Sequence, residues 1–388
     1  MRRILAVLIP VALVLGIWLG GHPDLLPGFA RNALVADGDG QQYEQAIDTI
    51  ERDYYRKVDR KDLLNKSLGA AVESLQDQFS HYFSPKDYTQ FELDTEGQFE
   101  GVGMTVTEVK QGLRVMEVYD RSPAKSGGLK KGDLIVSVNG KPLAGKTSDQ
   151  ATALIKGPAG STVTLGVKSG DKTKTLKLKR EKVDVPIVQS ETRTDHGKKI
   201  GWVRLAGFTS GSGDDVKAAV QKQLKEGAKG IVLDLRHNGG GLLNEAVGVS
   251  SVFLKDGKVV STKGRARPEH VYNATGGAIP DDIPVVVLVD EGSASASEIV
   301  TGALQDRKRA KVIGTRTFGK GVFQEIERLE NGGALDITVG EYFTPSGRNL
   351  GGGGVRKGAG ITPDIQASDD PKTAKDEALQ KALDTVSG

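Results

Sequence analysis

The spacing of apolar residues changes along the chain, and each change predicts a different kind of structure. Residues 43–55 and 61–79 carry apolar residues at three- and four-residue spacing, which predicts two helices. Between residues 99 and 183, short apolar runs alternate with turn residues, which predicts a small antiparallel module interrupted by one helix. From residue 185 onwards, apolar strands alternate with amphipathic helices, a rhythm typical of helices that cover a mostly parallel sheet.

The α/β stretch contains three predicted pairs of strand and helix before a charged tail. The strands are predicted at residues 200–205, 230–235 and 284–289, and the helices at residues 214–226, 244–253 and 297–305. Functional side chains are expected near the carboxyl ends of the parallel strands, where the helices begin. The charged tail, residues 368–388, is also predicted to be helical.

The first 22 residues have the pattern of an export segment. Arg2 and Arg3 precede an apolar run over residues 4–21, which is long for a signal-peptide core and just long enough to cross a bilayer. A cleaved signal and a membrane anchor both fit, and the poor small-residue site near the run favours the anchor. Because basic residues stay inside, we expect the rest of the chain outside the cytoplasm, after a linker at residues 23–40.

Composition narrows the range of partners. The 53 basic and 50 acidic residues nearly cancel, so net charge gives no argument for nucleic-acid binding. Hydrophobic residues at 37% and charged residues at 27% are typical of a soluble globular protein. Because the sequence has no cysteine, it has no disulfide, no thiol nucleophile and no zinc–thiolate site. Function must therefore be argued from particular sites.

One serine lies where an apolar strand passes into a helix. The strand ends at Asp290, and Ser295 lies in the Ser-Ala-Ser-Ala-Ser run that opens the helix. Ser295 and Glu298 fit a capping box, which taken alone would be a purely structural role. A helix start also presents unpaired N–H groups, so the amide of Ala296 could face the oxyanion formed when Ser295 attacks a carbonyl.

A serine nucleophile needs a base, and Lys320 is the favoured candidate. It lies in a glycine-flanked turn between two apolar strands. A lysine base must be neutral, and apolar neighbours such as Phe318 and Phe323 can lower its pKa from about 10.4 towards about 7 to 8. Gln324 is uncharged, so it can orient the amine without holding it protonated. Without Ser295, Lys320 would be interpreted as a solvated turn lysine.

Two other arrangements of functional groups are open at this point. His237 or His270 could serve with Asp234 or Asp290 in a Ser-His-Asp arrangement, although no spacing favours them. Residues 140–147, GKPLAGKT, match the P-loop pattern, and an exported nucleotide hydrolase is the rival enzyme. The strands predicted after the following helix form an antiparallel hairpin, however, whereas a P-loop fold needs a parallel strand there.

Several motifs together resemble the carboxy-terminal processing proteases, also called tail-specific proteases, which use a Ser/Lys dyad. The motifs are GSASASE around Ser295, FGKG around Lys320, the glycine-rich loop DLRHNGGG, and YFTPSGR with GITPD near the end. The resemblance covers roughly residues 43–365. It implies unfolded or carboxy-terminally tagged protein substrates and no metal or cofactor.

The resemblance also assigns a role to each residue of the predicted site. Its members are the nucleophile Ser295, the base Lys320, the orienting partner Gln324, and the oxyanion-hole amides of Ala296 and Gly241. Gly240 is the neighbouring alternative for the second amide, because the glycine-rich loop can expose either N–H group.

The β-rich module resembles the PDZ domain that this family inserts before its catalytic core. In PDZ domains a glycine-rich loop holds a chain-end carboxylate through backbone amides, while the peptide adds as a strand. The loop is matched here by Gly101, Val102, Gly103 and Met104. The helix at residues 148–156 would form the other side of the groove, and its Lys156 stands where the family commonly has arginine.

These predictions combine into one architecture. We expect an α/β (α+β) catalytic core with a central mostly parallel sheet, an inserted small β-rich PDZ domain and an N-terminal helical segment. The predicted domains are the membrane anchor or signal 1–22, linker 23–40, helical region 41–96, PDZ domain 97–184, protease core 185–367 and charged helical tail 368–388.

The predicted function is that of an exported serine endopeptidase. Its expected partners are protein or peptide substrates with accessible C-termini and a membrane that the N-terminal segment would contact. A homo-oligomer is compatible with the helical region. Binding of nucleic acid is not expected. The alternative is a catalytically silent PDZ scaffold that binds protein C-termini. Such a scaffold would not need serine, lysine and glutamine at this spacing.

Overall fold

The computed structural model describes residues 38–170, 172–370, 372–373 and 375–388. These residues fall into two units that divide between Tyr82 and Phe83. The predicted export segment lies in residues 1–37, outside the described residues, so it stays a prediction. Among the helices of the described residues, none combines the length and the apolar character needed to cross a bilayer.

The described residues of the first unit form two helices, α1 (Gly38–Asp53) and α2 (Arg60–Glu73). Arg60 at the start of α2 forms salt bridges with three acidic residues of α1. The predicted second helix ran to residue 79, and this end was wrong. Helix α2 ends earlier because Gln76 adopts a left-handed conformation with φ 55°, after which the Asp77 carboxylate accepts from the N–H of Phe79 at 3.1 Å.

A third helix, which the apolar spacing did not predict, opens the second unit. A short strand, β1 (His81–Phe83), lies at the division between the units, and α3 (Pro85–Thr95) follows it. Ser84 caps α3 by accepting from the N–H of Asp87, and Pro85 occupies its first turn. Both are standard helix-start signals.

The β-rich module is a compact antiparallel domain. Its main sheet has the order β3-β4-β5-β7-β8, with β6 on β5, and a separate pair, β2 and β9, lies where the chain enters and leaves. The strands are β2 (Gln98–Gly101), β3 (Met104–Val109), β4 (Gly112–Val118), β5 (Leu134–Val138), β6 (Lys141–Pro142), β7 (Thr162–Ser169), β8 (Lys172–Lys179) and β9 (Glu181–Asp184). Two helices, α4 (Pro123–Ser126) and α5 (Ser148–Ile155), complete it.

The GKPLAGKT segment forms the loop before α5 and is not a P-loop. Thr147 and Gln150 form a capping box at the start of that helix. The strand after the helix, β7, runs antiparallel to β5, whereas a phosphate-binding βαβ unit needs a parallel strand. The nucleotide hydrolase alternative is therefore wrong.

The core of the second unit is a six-stranded sheet of order β10-β11-β12-β15-β16-β19. All neighbouring strands are parallel except β10, which is antiparallel to β11. The strands are β10 (Val188–Asp195), β11 (Lys198–Leu205), β12 (Ile231–Asp234), β15 (Val285–Val289), β16 (Lys311–Gly314) and β19 (Ile365–Gln366). This confirms the predicted mostly parallel sheet. Strands β12 and β15 are apolar runs because both of their faces are buried.

Helices cover both faces of this sheet. On one face, α6 (Ser212–Lys225), α7 (Leu243–Ser251) and α8 (Ala296–Asp306) pack over the main apolar cluster. On the other face lies α9 (Glu377–Ser387), formed by the charged tail. Its buried residues Ala378, Leu379, Ala382, Leu383 and Val386 contact the sheet, so the tail helix belongs to the core.

A second, antiparallel sheet supplies the side chains opposite the start of α8. Strand β18 pairs with both β13 and β17, and β14 pairs with β13. The strands are β13 (Lys258–Lys263), β14 (His270–Asn273), β17 (Val322–Arg328) and β18 (Ala334–Phe343). Gln324 lies on β17, whereas Thr338 and Tyr342 lie on β18.

Candidate active site

The predicted nucleophile lies in a strained turn between β15 and α8. Ser295 precedes the first residue of α8 and has φ 54° and ψ −114°. L-residues rarely adopt this conformation, and such strain persists only where the surroundings impose it, most often at functional sites. The side chain is partly exposed, so a substrate can reach it.

A single buried carboxylate, Glu298, connects the turn of Ser295 with the turn of Lys320. Its Oε2 accepts from the backbone N–H of Ser295 and from that of Lys320, each at 2.9 Å. Its Oε1 accepts from the Thr317 hydroxyl at 2.6 Å and from the Gly319 N–H at 2.8 Å. A single oxygen atom, Glu298 Oε2, therefore bridges the backbone N–H groups of the predicted nucleophile and the predicted base.

The surroundings of Glu298 shift its ionisation. Burial raises the pKa of this carboxyl above its ordinary value, and the hydrogen bonds from Thr317, Lys320, Gly319 and Ser295 oppose that shift. The four donors satisfy the lone pairs that desolvation would otherwise leave unpaired.

The Lys320 amine contacts the residue predicted to orient it. Lys320 Nζ donates to Gln324 Oε1 at 2.8 Å, and Gln324 Nε2 donates to the Thr338 hydroxyl at 2.9 Å. Lys320 is partly buried, next to the buried Val322 and the partly buried Phe318. Gln324 therefore orients the amine as an uncharged hydrogen-bond partner, whereas a carboxylate in its place would favour the protonated lysine.

Tyr342 links the two halves of the site. Its hydroxyl donates to the backbone carbonyl of Lys320. Burial raises the pKa of the Tyr342 phenol well above its ordinary value, the neighbouring Glu298 adds to the shift, and a hydrogen bond with the Ser295 side chain opposes it. The phenol thus contacts both the Ser295 side chain and the Lys320 backbone as a neutral group.

The glycine-rich loop lies against the start of α8. A Cβ on Gly240, whose φ is 105°, would lie 2.8 Å from Ser295 Cβ and 3.0 Å from the Ala296 nitrogen, so only glycine fits there. The Gly240 N–H donates to Asn238 Oδ1 at 2.9 Å. Within the described part of the chain, the N–H groups of Ala296 and Gly241 have no acceptor.

Asn238 fixes this loop to the turn of Ser295 and was not singled out from the sequence. It is fully buried, and its carbonyl accepts from the Ala294 N–H at 3.1 Å and the Ser297 hydroxyl at 2.8 Å. Its amide Nδ2 donates to the Leu205 carbonyl at 2.9 Å. A polar residue just after an apolar strand was the only local signal of this role.

The histidines occupy other positions. His237 Nδ1 lies 2.7 Å from Asp290 Oδ2, but the imidazole is 77% exposed, and no described hydrogen bond joins it to Ser295. His270 lies on β14 against the Tyr272 ring. Neither histidine therefore has the contact with the serine that a Ser-His-Asp triad requires.

The predicted peptide-binding loop lines a groove beside the free edge of β3. Gly101, Val102, Gly103 and Met104 line it together with Phe99, Val106, Thr152, Ile155 and Lys156. In the described structure, no protein acceptor takes the N–H of Val102 or Gly103. Lys156 Nζ lies 5.9 Å from the centroid of the Phe99 ring, and both residues line the groove.

Comparison with known proteins places the chain in a family. A model of peptidase family S41 matches residues 199–367, and a PDZ model matches residues 101–179. The carboxy-terminal-processing protease of Bartonella bacilliformis is 37% identical over 331 residues, which cover 84% of this chain and 74% of that protein. The chain belongs to peptidase family S41. The resemblance to the carboxy-terminal processing proteases and the inserted PDZ domain are both confirmed.

Other S41 relatives are consistent with this placement. A probable CtpA-like serine protease of Staphylococcus haemolyticus is 35% identical over 81% of this S41 chain. The chain spans 63% of the length of that relative. Among solved structures, the photosystem II D1 C-terminal processing protease aligns with a TM-score of 0.51 and 28% identity, covering 91% of this chain and 98% of that one.

Proposed function

We propose that this S41 chain is an exported serine endopeptidase in which Ser295 is the nucleophile and Lys320 the base. The observation that supports it most is the contact of Lys320 Nζ with the uncharged Gln324, within the same Glu298 network that fixes Ser295. A desolvated lysine amine can lose its proton near neutral pH, and Gln324 orients the amine without adding a charge. The family membership supports the same reaction class.

The proposed cycle is an acyl transfer. Ser295 Oγ bonds to the carbonyl carbon of the substrate while its proton passes to Lys320 Nζ, and the N–H groups of Ala296 and Gly241 donate to the oxyanion. The C–N bond then breaks as Lys320 returns the proton to the leaving amine. Water, deprotonated by Lys320, hydrolyses the ester and releases Ser295.

Gly241 is a better second donor than Gly240 in this proposal. The N–H of Gly240 already donates to Asn238, whereas that of Gly241 has no acceptor within the described residues. An oxyanion-hole donor must be free of protein partners and preorganised towards the reacting carbonyl.

The proposed substrates are proteins whose C-terminal segments enter the PDZ groove. Within the residues that the structure describes, the N–H groups of Val102 and Gly103 have no acceptor, so they can hold a terminal carboxylate. Strand β3 lies at the edge of its sheet and can pair with the preceding residues as an added strand. The PDZ domain would thereby deliver extended chains to Ser295. We further propose, from residues 1–22 of the sequence, that the protein acts outside the cytoplasm, membrane-anchored or secreted.

The direct test is cleavage of an unfolded protein by the full chain in detergent. We expect wild type to release peptides from reduced, unfolded casein and the Ser295→Ala variant to release none. Ser126→Ala, an exposed serine on the PDZ domain, is the matched control and should cleave like wild type. Equal product from wild type and Ser295→Ala would remove Ser295 from the nucleophile role. Peptide binding without cleavage by either would favour the PDZ scaffold.

A further inference from the structure

Asp290 joins two loops that carry different parts of the proposed site. The glycine loop, residues 235–241, contains the Gly241 amide, and the nucleophile turn, residues 290–296, contains Ser295. Asp290 Oδ1 accepts from the His237 N–H at 2.9 Å and from the Gly292 N–H at 3.0 Å. Its Oδ2 lies 2.7 Å from His237 Nδ1. One carboxylate therefore holds both loops.

A serine completes this connection. The Ser293 hydroxyl donates to the Leu235 carbonyl at 2.8 Å, and the Asp290 N–H donates to the same hydroxyl at 3.0 Å. A Cβ on Gly292 would lie 3.2 Å from the His237 Cα, so the two backbones are in contact there. The loops are thus packed at the end where Asp290 lies. The Asp290 carboxylate bridges them through the N–H and Nδ1 of His237, and the Ala294 N–H joins them further along through the Asn238 carbonyl.

Each loop also contains one residue in a strained backbone conformation. His237 has φ 58° and Ser295 has φ 54°. Conformations of this kind persist only when neighbouring contacts impose them. Two contacts with Asp290, one from the backbone N–H and one from Nδ1, hold His237 in place two residues before the first glycine of the loop.

We infer that Asp290 is a positioning residue that sets the distance between the Gly241 amide and Ser295, with His237 as its contact on the glycine loop. The inference rests on the proposed function and deepens it. The two oxyanion donors lie on separate loops, so their spacing depends on the contacts that join those loops. A displacement of about 1 Å in such a site can reduce the rate about 100-fold. The carboxylate itself does not touch the substrate.

The experiment compares Asp290→Ala, Asp290→Asn and Asp281→Ala in the full chain. Asp281 is an exposed carboxylate just before β15, at the opposite end of that strand, and its variant is the control. For each variant, kcat and KM are measured on a peptide substrate. The affinity for a peptide boronate is measured separately, because its tetrahedral adduct with Ser295 places an oxygen in the oxyanion hole. Thermal unfolding reports whether each variant folds.

For Asp290→Ala we expect kcat to fall about 10- to 100-fold with KM changed less than about twofold. The boronate affinity should fall by a similar factor. Asp290→Asn should recover most of both, because its amide oxygen can still accept from the N–H groups of His237 and Gly292. His237→Asn should lose less than Asp290→Ala, since asparagine tolerates positive φ and keeps the backbone donor.

Unchanged kcat and boronate affinity in folded Asp290→Ala would overturn the inference. An Asp290→Asn variant as impaired as Asp290→Ala would also overturn it, because charge and not loop geometry would then matter. So would a loss that appears equally in Asp281→Ala. Cleavage that survives in Ser295→Ala would show a different failure, that of the proposed function.

Discussion

Glu298 accepts four hydrogen bonds within the site and contacts no substrate in the proposed cycle. Its two oxygens accept from four donors, two of them the backbone N–H groups of Ser295 and Lys320. It is fully buried on α8. Because one oxygen accepts from both residues of the proposed dyad, a movement of this carboxylate changes their relative position.

Replacing Glu298 with glutamine tests this role. One oxygen of the acceptor pair becomes an NH₂ group that faces donors, so two of the four bonds are lost at a cost of about 1–3 kcal/mol for each unpaired donor. We expect Glu298→Gln to unfold at a lower temperature and its kcat to fall about 10- to 100-fold. Wild-type kcat in a folded Glu298→Gln variant would contradict the role.

The same variant has a readout in pH. Because burial raises the pKa of Glu298, the folded protein holds this proton more tightly than the unfolded chain. Its contribution to stability is complete below the unfolded pKa and is lost as pH rises through the folded pKa. When thermal unfolding is measured at a series of pH values, the difference in unfolding temperature between wild type and Glu298→Gln should narrow as pH rises across that window. Parallel curves would contradict the shift.

The sequence predicts individual residues of the site better than the contacts between them. Ser295 and Glu298 are three residues apart, so their capping relation is visible in a capping box. The bonds from Glu298 to Lys320 and from Asp290 to His237 join residues distant in sequence. Their geometry depends on how β12, β15 and β16 align in the sheet, which local spacing does not specify.

At the scale of elements, the PDZ groove depends on one loop, one strand edge and one helix. The loop at Val102 and Gly103 supplies N–H groups, and β3 supplies the edge of its sheet. On the other side lie Ile155, the last residue of α5, and Lys156, which follows it. An added strand alone would not distinguish chain ends from internal segments, so in the proposed recognition of C-termini the loop supplies that selectivity.

Binding of matched peptides tests the groove. We expect the full-length Ser295→Ala chain, which should not cleave them, to bind a peptide with a free C-terminal carboxylate at least about tenfold more tightly than its C-terminal amide. The reason is that charge-assisted bonds to backbone N–H groups are lost on amidation. Fluorescence anisotropy measures both affinities. Equal affinities would exclude recognition of the chain end by this loop.

Strands and helices were predictable from the sequence where a single pattern of apolar residues was strong. The strands β12 and β15 are unbroken apolar runs, and the apolar period of α6 is regular. Helix α3 was missed because its spacing is weak, although Ser84 and Pro85 are start signals. The role of α9 was missed because charged residues flank a narrow apolar stripe, which only the sheet surface reveals.

For the whole molecule, the alternation of strands and helices was sufficient to predict the layered core and the inserted module. It did not specify how the second sheet places Gln324 and Thr338 opposite the start of α8. That placement depends on the pairing of β18 with both β13 and β17, and β13 is distant from β18 in the sequence. The proposed activity depends on that placement, since Gln324 holds the Lys320 amine. The claim that this amine is the base is therefore a claim about the assembled fold.

Labelling of Ser295 by a fluorophosphonate tests that claim most directly. The reagent reports the reactivity of the hydroxyl without requiring substrate binding in the PDZ groove, and Lys320→Met keeps the side-chain stem without the amine. In wild type we predict a labelling rate that rises with pH around a midpoint of about 7 to 8. In Lys320→Met we predict that the labelling rate falls by at least about 100-fold and no longer shows that midpoint. Equal rates and equal pH profiles in the two folded proteins would contradict the account.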